Sequence, residues 1–411
     1  MESVHNARKS LSLRLRNSEL LLLKCPQNDF CVRSIPHRLS NRVQLQDFHE
    51  ANGHIVDFSG FNLPLWFNGI THESLTVRNA VGVFDVSHMG RVIVRGGDSC
   101  RLLDTVTTND VSSLRVSDGH YSLFCNEKGG IKDDLLVFRV AEEEYMLITN
   151  AANRTKDFAW LSEHADGAVE IKDVSDRVAM FALQGPRAVE VLQKLVKNNV
   201  ALIPRFSSVW SEIAASRVLI TRTGYTGEDG FEIFVMNSPV TSPQVAVEVW
   251  NKVLQAGKPT GIEPCGLGAR DLLRLEAGFC LYGTDIDEST NPYEANLGFV
   301  VKLTKKFIGR SCLQEVKERG VGRSRIGFVT LNRVIPRHGY RIFQSELEVG
   351  VTTSGTLSPI LNKGIALGYV KTRDCQLDSY GIQMRDRIEP VEAVKMPFYD
   401  RTKYGYERTQ I

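Results

Sequence analysis

The chain has 411 residues, 42% apolar and 24% charged, and its 50 Lys and Arg against 48 Asp and Glu leave a net charge of +2. That length predicts two or three domains rather than one core, and the near-neutral balance gives no electrostatic case for nucleic acid or a membrane surface as partner. Eight cysteines without a CxxC or Cys/His cluster argue against a zinc site, an iron–sulfur site or a disulfide scaffold and for a reducing compartment, and no apolar stretch is long enough to span a bilayer.

Residues 1–42 stand apart. They are rich in Arg, Lys, Ser and Leu, the bias of an organellar transit peptide, but Glu2, Glu19 and Asp29 interrupt it. We expect an extension here, disordered or targeting. The folded region begins near Val43, with a short helix at Leu45–Phe48, a strand at Ile55–Phe58 and a helix over Thr71–Ala80 ending at Gly82. A period-two strand follows at Arg91–Arg95. Before it, Phe84 and Met89 read as core and the lone His88 as a structural histidine.

A helix is predicted over Asp98–Val106 with Asp98 as N-cap. After it, residues 107–111 (TTNDV) place Asp110 where the chain leaves the helix, a position that turn chemistry assigns to hydrogen bonding with nearby backbone. Tyr121–Cys125 and Ile131–Phe138 form a hairpin through Gly129 and Gly130. Tyr145–Thr149 is a strand, and Asn150–Asn153 caps the helix that carries Trp160. A strand at Met180–Leu183 and a helix over Ala188–Val196, opened by Pro186, continue an alternation that indicates an α+β domain.

Residues 224–233 (GYTGEDGFEI) hold three glycines in a tight turn between the strands Arg217–Thr221 and Phe231–Val235. Glu232 faces the opposite way from Phe231 and Ile233. The turn reads either as a hairpin with solvated acids or as a pocket in which Tyr225 stacks and Glu232 accepts hydrogen bonds. A helix over Gln244–Leu254 comes next. Residues 264–278 (PCGLGARDLLRLEAG) lack the glycine pattern of a dinucleotide fold. Arg270 and Arg274, four apart on one helix face, need acids, an anionic ligand or water nearby. From about Glu318, short strands at Ile326–Val329, Gly339–Phe343, Val349–Thr353 and Ile365–Val370 indicate a small all-β barrel or sandwich.

In this order the segments 84–89 (FDVSHM), 108–111, 126–135, 183–186 (LQGP), 224–233, 268–278, 281–287 (LYGTDID) and 353–370 resemble the aminomethyltransferase (T-protein) family of the glycine cleavage system. The resemblance covers the chain from about residue 44 onward. It implies a three-domain α+β fold, with two interwoven α+β domains around a folate site in residues 43–317 and a C-terminal, jelly-roll-like β-barrel in 318–411. The reaction implied passes the methylene carbon from an aminomethyl-loaded lipoyl group of H-protein to tetrahydrofolate, releasing ammonia and needing no metal, flavin or nicotinamide. By matched position, Asp110 becomes the active-site acid beside the reactive nitrogens of folate. Glu232 and Arg270 hold the pterin; Tyr225, Asn150 and Met89 line the pocket. Tyr404, with Tyr406 as the alternative, reaches in from the tail. The partners implied are H-protein directly, with glycine decarboxylase (P-protein) and dihydrolipoyl dehydrogenase (L-protein) in the same pathway, around a monomer. The ending favours a cytoplasmic archaeal or bacterial protein, the mitochondrial matrix being the alternative. Rival readings are a non-catalytic folate-binding module, disfavoured because no cysteine stands in residues 225–227, and the folate domain of a flavin-fused oxidising enzyme, for which the extension is too short.

Overall fold

The computed structural model describes residues 41–372 and 380–408, so the extension predicted over 1–42 lies outside the described residues except for Asn41 and Arg42. Two sheets make the centre. One has six strands in the order Ser208–Ile213, Ser216–Thr221, Gly230–Val235, Ala179–Gln184, Gly82–Asp85, Glu263–Pro264. The other has five, in the order Gly119–Cys125, Ile131–Ala141, Glu144–Thr149, Gly90–Arg95, Glu170–Asp173. The chain leaves the first sheet after Asp85, builds the whole of the second, and returns at Ala179. That is the interweaving.

Alternation along the strands sorts the cores. Phe231, Ile233 and Val235 point to the helices Ala188–Gln193 and Gln244–Gly257, around the buried Trp250. Phe234, Leu219, Met180 and Phe84 point the other way and meet Phe138, Met146 and Ile148 of the five-stranded sheet. The outer face of that second sheet, with Val137 and Leu147, is covered by the helices Ser99–Val106 and Arg154–Glu163 through Leu103, Trp160 and Leu161. The layers therefore run helix, sheet, sheet, helix, each sheet burying both faces, and burial at about 25 cal/mol per Å² is the main driving force.

The C-terminal part closes into a six-stranded barrel in the order Arg323–Thr330, Lys363–Lys371, Leu347–Ser358, Arg341–Gln344, Tyr380–Met384, Arg387–Val394. The last two strands escaped the sequence reading because they alternate weakly, with Arg387 and Ile388 exposed. Closure pairs Arg387–Val394 back onto Arg323–Thr330 and removes the free edges.

Three local expectations change. The helix after Pro186 stops at Gln193 instead of Val196. Asp98 occupies the N-cap position without accepting a backbone N–H of its helix; its carboxylate accepts the Ala168 N–H at 2.8 Å and pairs with the Arg101 side chain. Asn150 and Asn153 likewise make no cap, because both side-chain amides are drawn to Asp133. Among the described residues no helix is long and apolar enough to cross a membrane.

Candidate active site

The turn at 224–230 is held from beneath and behind. Gln184, on the neighbouring strand, donates to the Thr223 carbonyl at 3.1 Å and accepts from the Thr226 hydroxyl at 2.9 Å. Gly227 has φ +80°, and a Cβ there would run into the Tyr399 hydroxyl. The two acids of the turn are structural. Asp229 forms a two-point pair with Arg222 at 3.0 and 2.6 Å. Glu228, fully buried, is met by Arg78 at 2.8 Å, by the Gly405 N–H at 3.0 Å and by Arg408. Arg78 spends its other donors on Glu276 and on the carbonyls of Thr226 and Leu273. Its guanidinium lies 4.7 Å above the Tyr399 ring.

Glu232 is the exception. It is 4% exposed and faces the inter-sheet side, opposite Phe231 and Ile233 as its alternation requires. Thr223 donates to it at 2.6 Å and is itself bonded to Thr221 at 2.7 Å. Burial raises its carboxyl above the usual range, against the pull of Thr223 and Arg270.

The helix Leu267–Ala277 answers the question posed by its two arginines. Arg274 is neutralised: it contacts Asp285 at 2.6 Å, Asp271 at 2.8 Å, Ser354 of the barrel at 2.9 Å and the Phe279 carbonyl at 3.1 Å. Arg270 forms no ion pair or side-chain hydrogen bond among the described residues. Its guanidinium sits 4.7 Å over the Tyr225 ring, and burial lowers its pKa although Tyr225 and Glu232 partly compensate. Tyr225 stacks on Phe279 at 5.8 Å and gives its hydroxyl to the Cys280 carbonyl. Its ring is a fixed wall rather than a free plate.

Asp133 and Asp134, on the strand Ile131–Ala141, supply the acids the sequence reading passed over. Continuing the Leu136–Ile148 register sets Asn150 opposite Asp134. The Asn150 amide reaches Asp134 Oδ1 at 2.8 Å and Asp133 Oδ1 at 2.9 Å, and the Tyr121 hydroxyl donates to Asp134 at 2.9 Å. Burial, then the charge of Asp133, pushes the Asp134 carboxyl up to about 7, and its field is felt at Tyr225.

Glu232, Arg270, Tyr225, Asn150 and Asp134 thus form one continuous group, with the half-buried Met89 packed on the inter-sheet core that Glu232 faces. Two expected residues lie elsewhere. Asp110 caps the turn Val111–Ser113, accepting from the Ser112 hydroxyl at 2.7 Å and the Ser113 N–H at 3.2 Å, and its titratable neighbours are Asp104, His120 and Lys305. Tyr404 packs edge-on to Tyr399 at 6.5 Å, behind the glycine turn, and Tyr406 lies under Arg205. The signal that could have found Asp134 is an Asp-Asp pair inside an apolar strand, which forces one carboxylate onto each face. His88 is buried against Phe58 and Phe61 and kept neutral by desolvation and by Arg270 and Arg91.

Known proteins similar to this chain place it in a family. Residues 45–305 match the family model described as the GCVT N-terminal domain, and residues 323–400 the glycine cleavage T-protein C-terminal barrel domain. The aminomethyltransferase of Geobacillus thermodenitrificans is 45% identical over 357 residues, 85% of this chain and 95% of that protein. That of Flavobacterium psychrophilum is 43% identical over 361 residues, 87% and 99% respectively. The crystal structure of the glycine cleavage system aminomethyltransferase T from Bartonella henselae superposes with a TM-score of 0.80 at 32% identity, covering 89% of this chain and 99% of that one. With homology spanning both the interwoven core and the barrel, the chain belongs to the aminomethyltransferase (T-protein) family of the glycine cleavage system.

Proposed function

We propose that the chain transfers the methylene carbon of an aminomethyl group, carried on a lipoyl sulfur of H-protein, to tetrahydrofolate. The products are 5,10-methylenetetrahydrofolate, ammonia and dihydrolipoyl H-protein. The observation that carries this reading is a buried carboxylate, Glu232, in the field of an arginine, Arg270, that has no ion-pair partner among the described residues. A pterin presents a ring N–H beside an exocyclic amine, which a carboxylate accepts together, and a ring carbonyl, which a guanidinium meets. Thr223 orients Glu232 by holding one of its oxygens. Tyr225, immobilised by Phe279 and Cys280, walls the pocket.

In this reading the acid beside the reactive nitrogens is Asp134, with Asp110 a turn-former. A carboxyl titrating close to neutrality can take a proton from the attacking amine and, ionised, stabilise positive charge developing there. Asn150 and Tyr121 hold it in place. Positioning the two substrates together supplies the rest of the acceleration. The same reading keeps residues 43–317 as the folate-binding core and 318–411 as the barrel domain, acting as a monomer with H-protein as direct partner.

The test is anaerobic mixing of the purified chain with tetrahydrofolate and aminomethyl-loaded H-protein, with methylenetetrahydrofolate read by a coupled dehydrogenase. Turnover that collapses in Asp134→Asn is expected. Folate binding without any turnover in the unmodified chain would refute the transfer reaction.

A further inference from the structure

Behind Asp134 lies a second carboxylate pair that the proposed reaction does not use directly. Asp133 points away from Asp134, toward the helix Arg154–Glu163, where Asp157 meets it. Both are buried, Asp133 at 0% and Asp157 at 1% exposed. We propose that Asp157 is a positioning residue: it shares a proton with Asp133, and through that proton it fixes the Asn150 amide against the Asp134 carboxylate. The inference rests on the reading of Asp134 as the acid.

The donors decide where the proton sits. Asp133 accepts three N–H groups, the Asn150 backbone at 3.0 Å, the Asn150 amide at 2.9 Å and the Asn153 amide at 2.6 Å. A carboxyl so supplied is the acceptor of the pair. Asp157 has only the Thr149 hydroxyl as a donor within reach among the described residues, against the three N–H groups on Asp133. Two carboxylates in contact, walled by Trp160 and Leu161, cannot both be ionised. Asp157 therefore carries the proton and donates it to Asp133. Burial, reinforced by Asp133, holds the Asp157 carboxyl far above the carboxylate range.

The other charged or titratable groups facing the pair are Lys156 and Tyr282. Lys156 does not neutralise it, because its ammonium is spent on the Lys132 carbonyl at 2.5 Å and the Tyr282 hydroxyl at 2.9 Å, with Glu288 at 3.7 Å. Tyr282 is itself pushed up by burial and by these acids, and stays neutral. The shared proton leaves one negative charge behind Asp134 instead of two. It also keeps Asp133 an acceptor, so that the Asn150 amide bridges both acids.

Infrared spectroscopy of the full chain, with aspartate carboxyls labelled with carbon-13 and measured at about pH 8.5, where Asp134 is ionised, reads the proton directly. We expect a protonated-carboxyl band that survives Asp134→Asn and disappears in Asp157→Asn. No band in the unmodified chain, or a band that survives Asp157→Asn, overturns the proposal, and neither result depends on whether the transfer reaction is correctly assigned. In the transfer assay, Asp157→Ala removes the donor and lowers kcat about tenfold, while Asp157→Asn returns an N–H to Asp133 and recovers most of the loss with the acidic limb of the pH profile unmoved. A limb displaced by about one pH unit in Asp157→Asn would mean that Asp157 was charged, and refutes the assignment.

Discussion

Arg270 and Arg274 lie one helical turn apart on the same face, and replacing each in turn by Met should separate stability from binding. Arg274 is 2% exposed in its side chain and faces Asp285, whose side chain is fully buried, at 2.6 Å. Removing it leaves the Asp285 carboxylate with Thr353, Ser354, the Leu281 N–H and the non-contacting charge of Arg325, and removes one hydrogen bond to the barrel, at Ser354. Breaking a buried pair in this way costs about 3–5 kcal/mol. Arg270 has no ion-pair partner among the described residues, and the buried Glu232 whose charge it favours keeps its hydrogen bond from Thr223, so its loss breaks no contact pair. Arg270→Met should change unfolding free energy by less than about 1 kcal/mol, or raise it. Its effect should fall on tetrahydrofolate, where one charge-assisted hydrogen bond is worth about 1.5–3 kcal/mol, or about 10- to 150-fold in Kd. Denaturant unfolding and calorimetric titration with tetrahydrofolate measure the two quantities on the same preparations. Equal loss of stability in both variants, or unchanged folate affinity in Arg270→Met, would refute the reasoning.

Other consequences follow the same logic. Asp134→Asn should lower turnover about 10²- to 10⁴-fold in the transfer assay, with much less effect on folate affinity, whereas Asp110→Asn should stay close to the unmodified chain. Because the folded Asp134 pKa is raised above its unfolded value, the native state holds that proton more tightly. Its contribution to stability therefore declines as pH rises from about 4 to about 7, and denaturant unfolding of Asp134→Asn should lack this component. Glu232→Gln keeps the shape but replaces one acceptor oxygen by a donor, and should weaken tetrahydrofolate binding about tenfold by calorimetry. Arg78→Met leaves Glu228 and Glu276 buried with far fewer donors and should destabilise by about 3–5 kcal/mol in denaturant unfolding at neutral pH.

Much of the architecture was legible along the chain because it is local. Glycines at 224, 227 and 230 mark a turn, and the period-two pattern after it places Glu232 on the face away from Phe231 and Ile233. The hairpin through Gly129 and Gly130 and the onset of barrel strands after residue 318 follow from the same rules. The acid we propose was harder. Asp110 and Asp134 both sit in segments that resemble the family, and turn chemistry already accounted for Asp110 as a cap. Nothing local says that Asp134 looks across the inter-sheet space toward Tyr225, since that depends on how one sheet lies over another. The position of Tyr404 is non-local for a related reason, as the tail docks behind the glycine turn through Gly405 and Arg408.

The sequence by itself determined the spacing of the two arginines, the alternation that turns Glu232 inward and the order of motifs that marks the family. The tertiary structure decided which arginine is neutralised. The partners of Arg274 that settle its role, Asp285 and Ser354, come from 11 and 80 residues further along the chain. Both guanidiniums share one helix face, and Asp271 on the same helix, Asp285 from the following loop and Ser354 of the barrel together engage Arg274 while leaving Arg270 without an ion pair among the described residues.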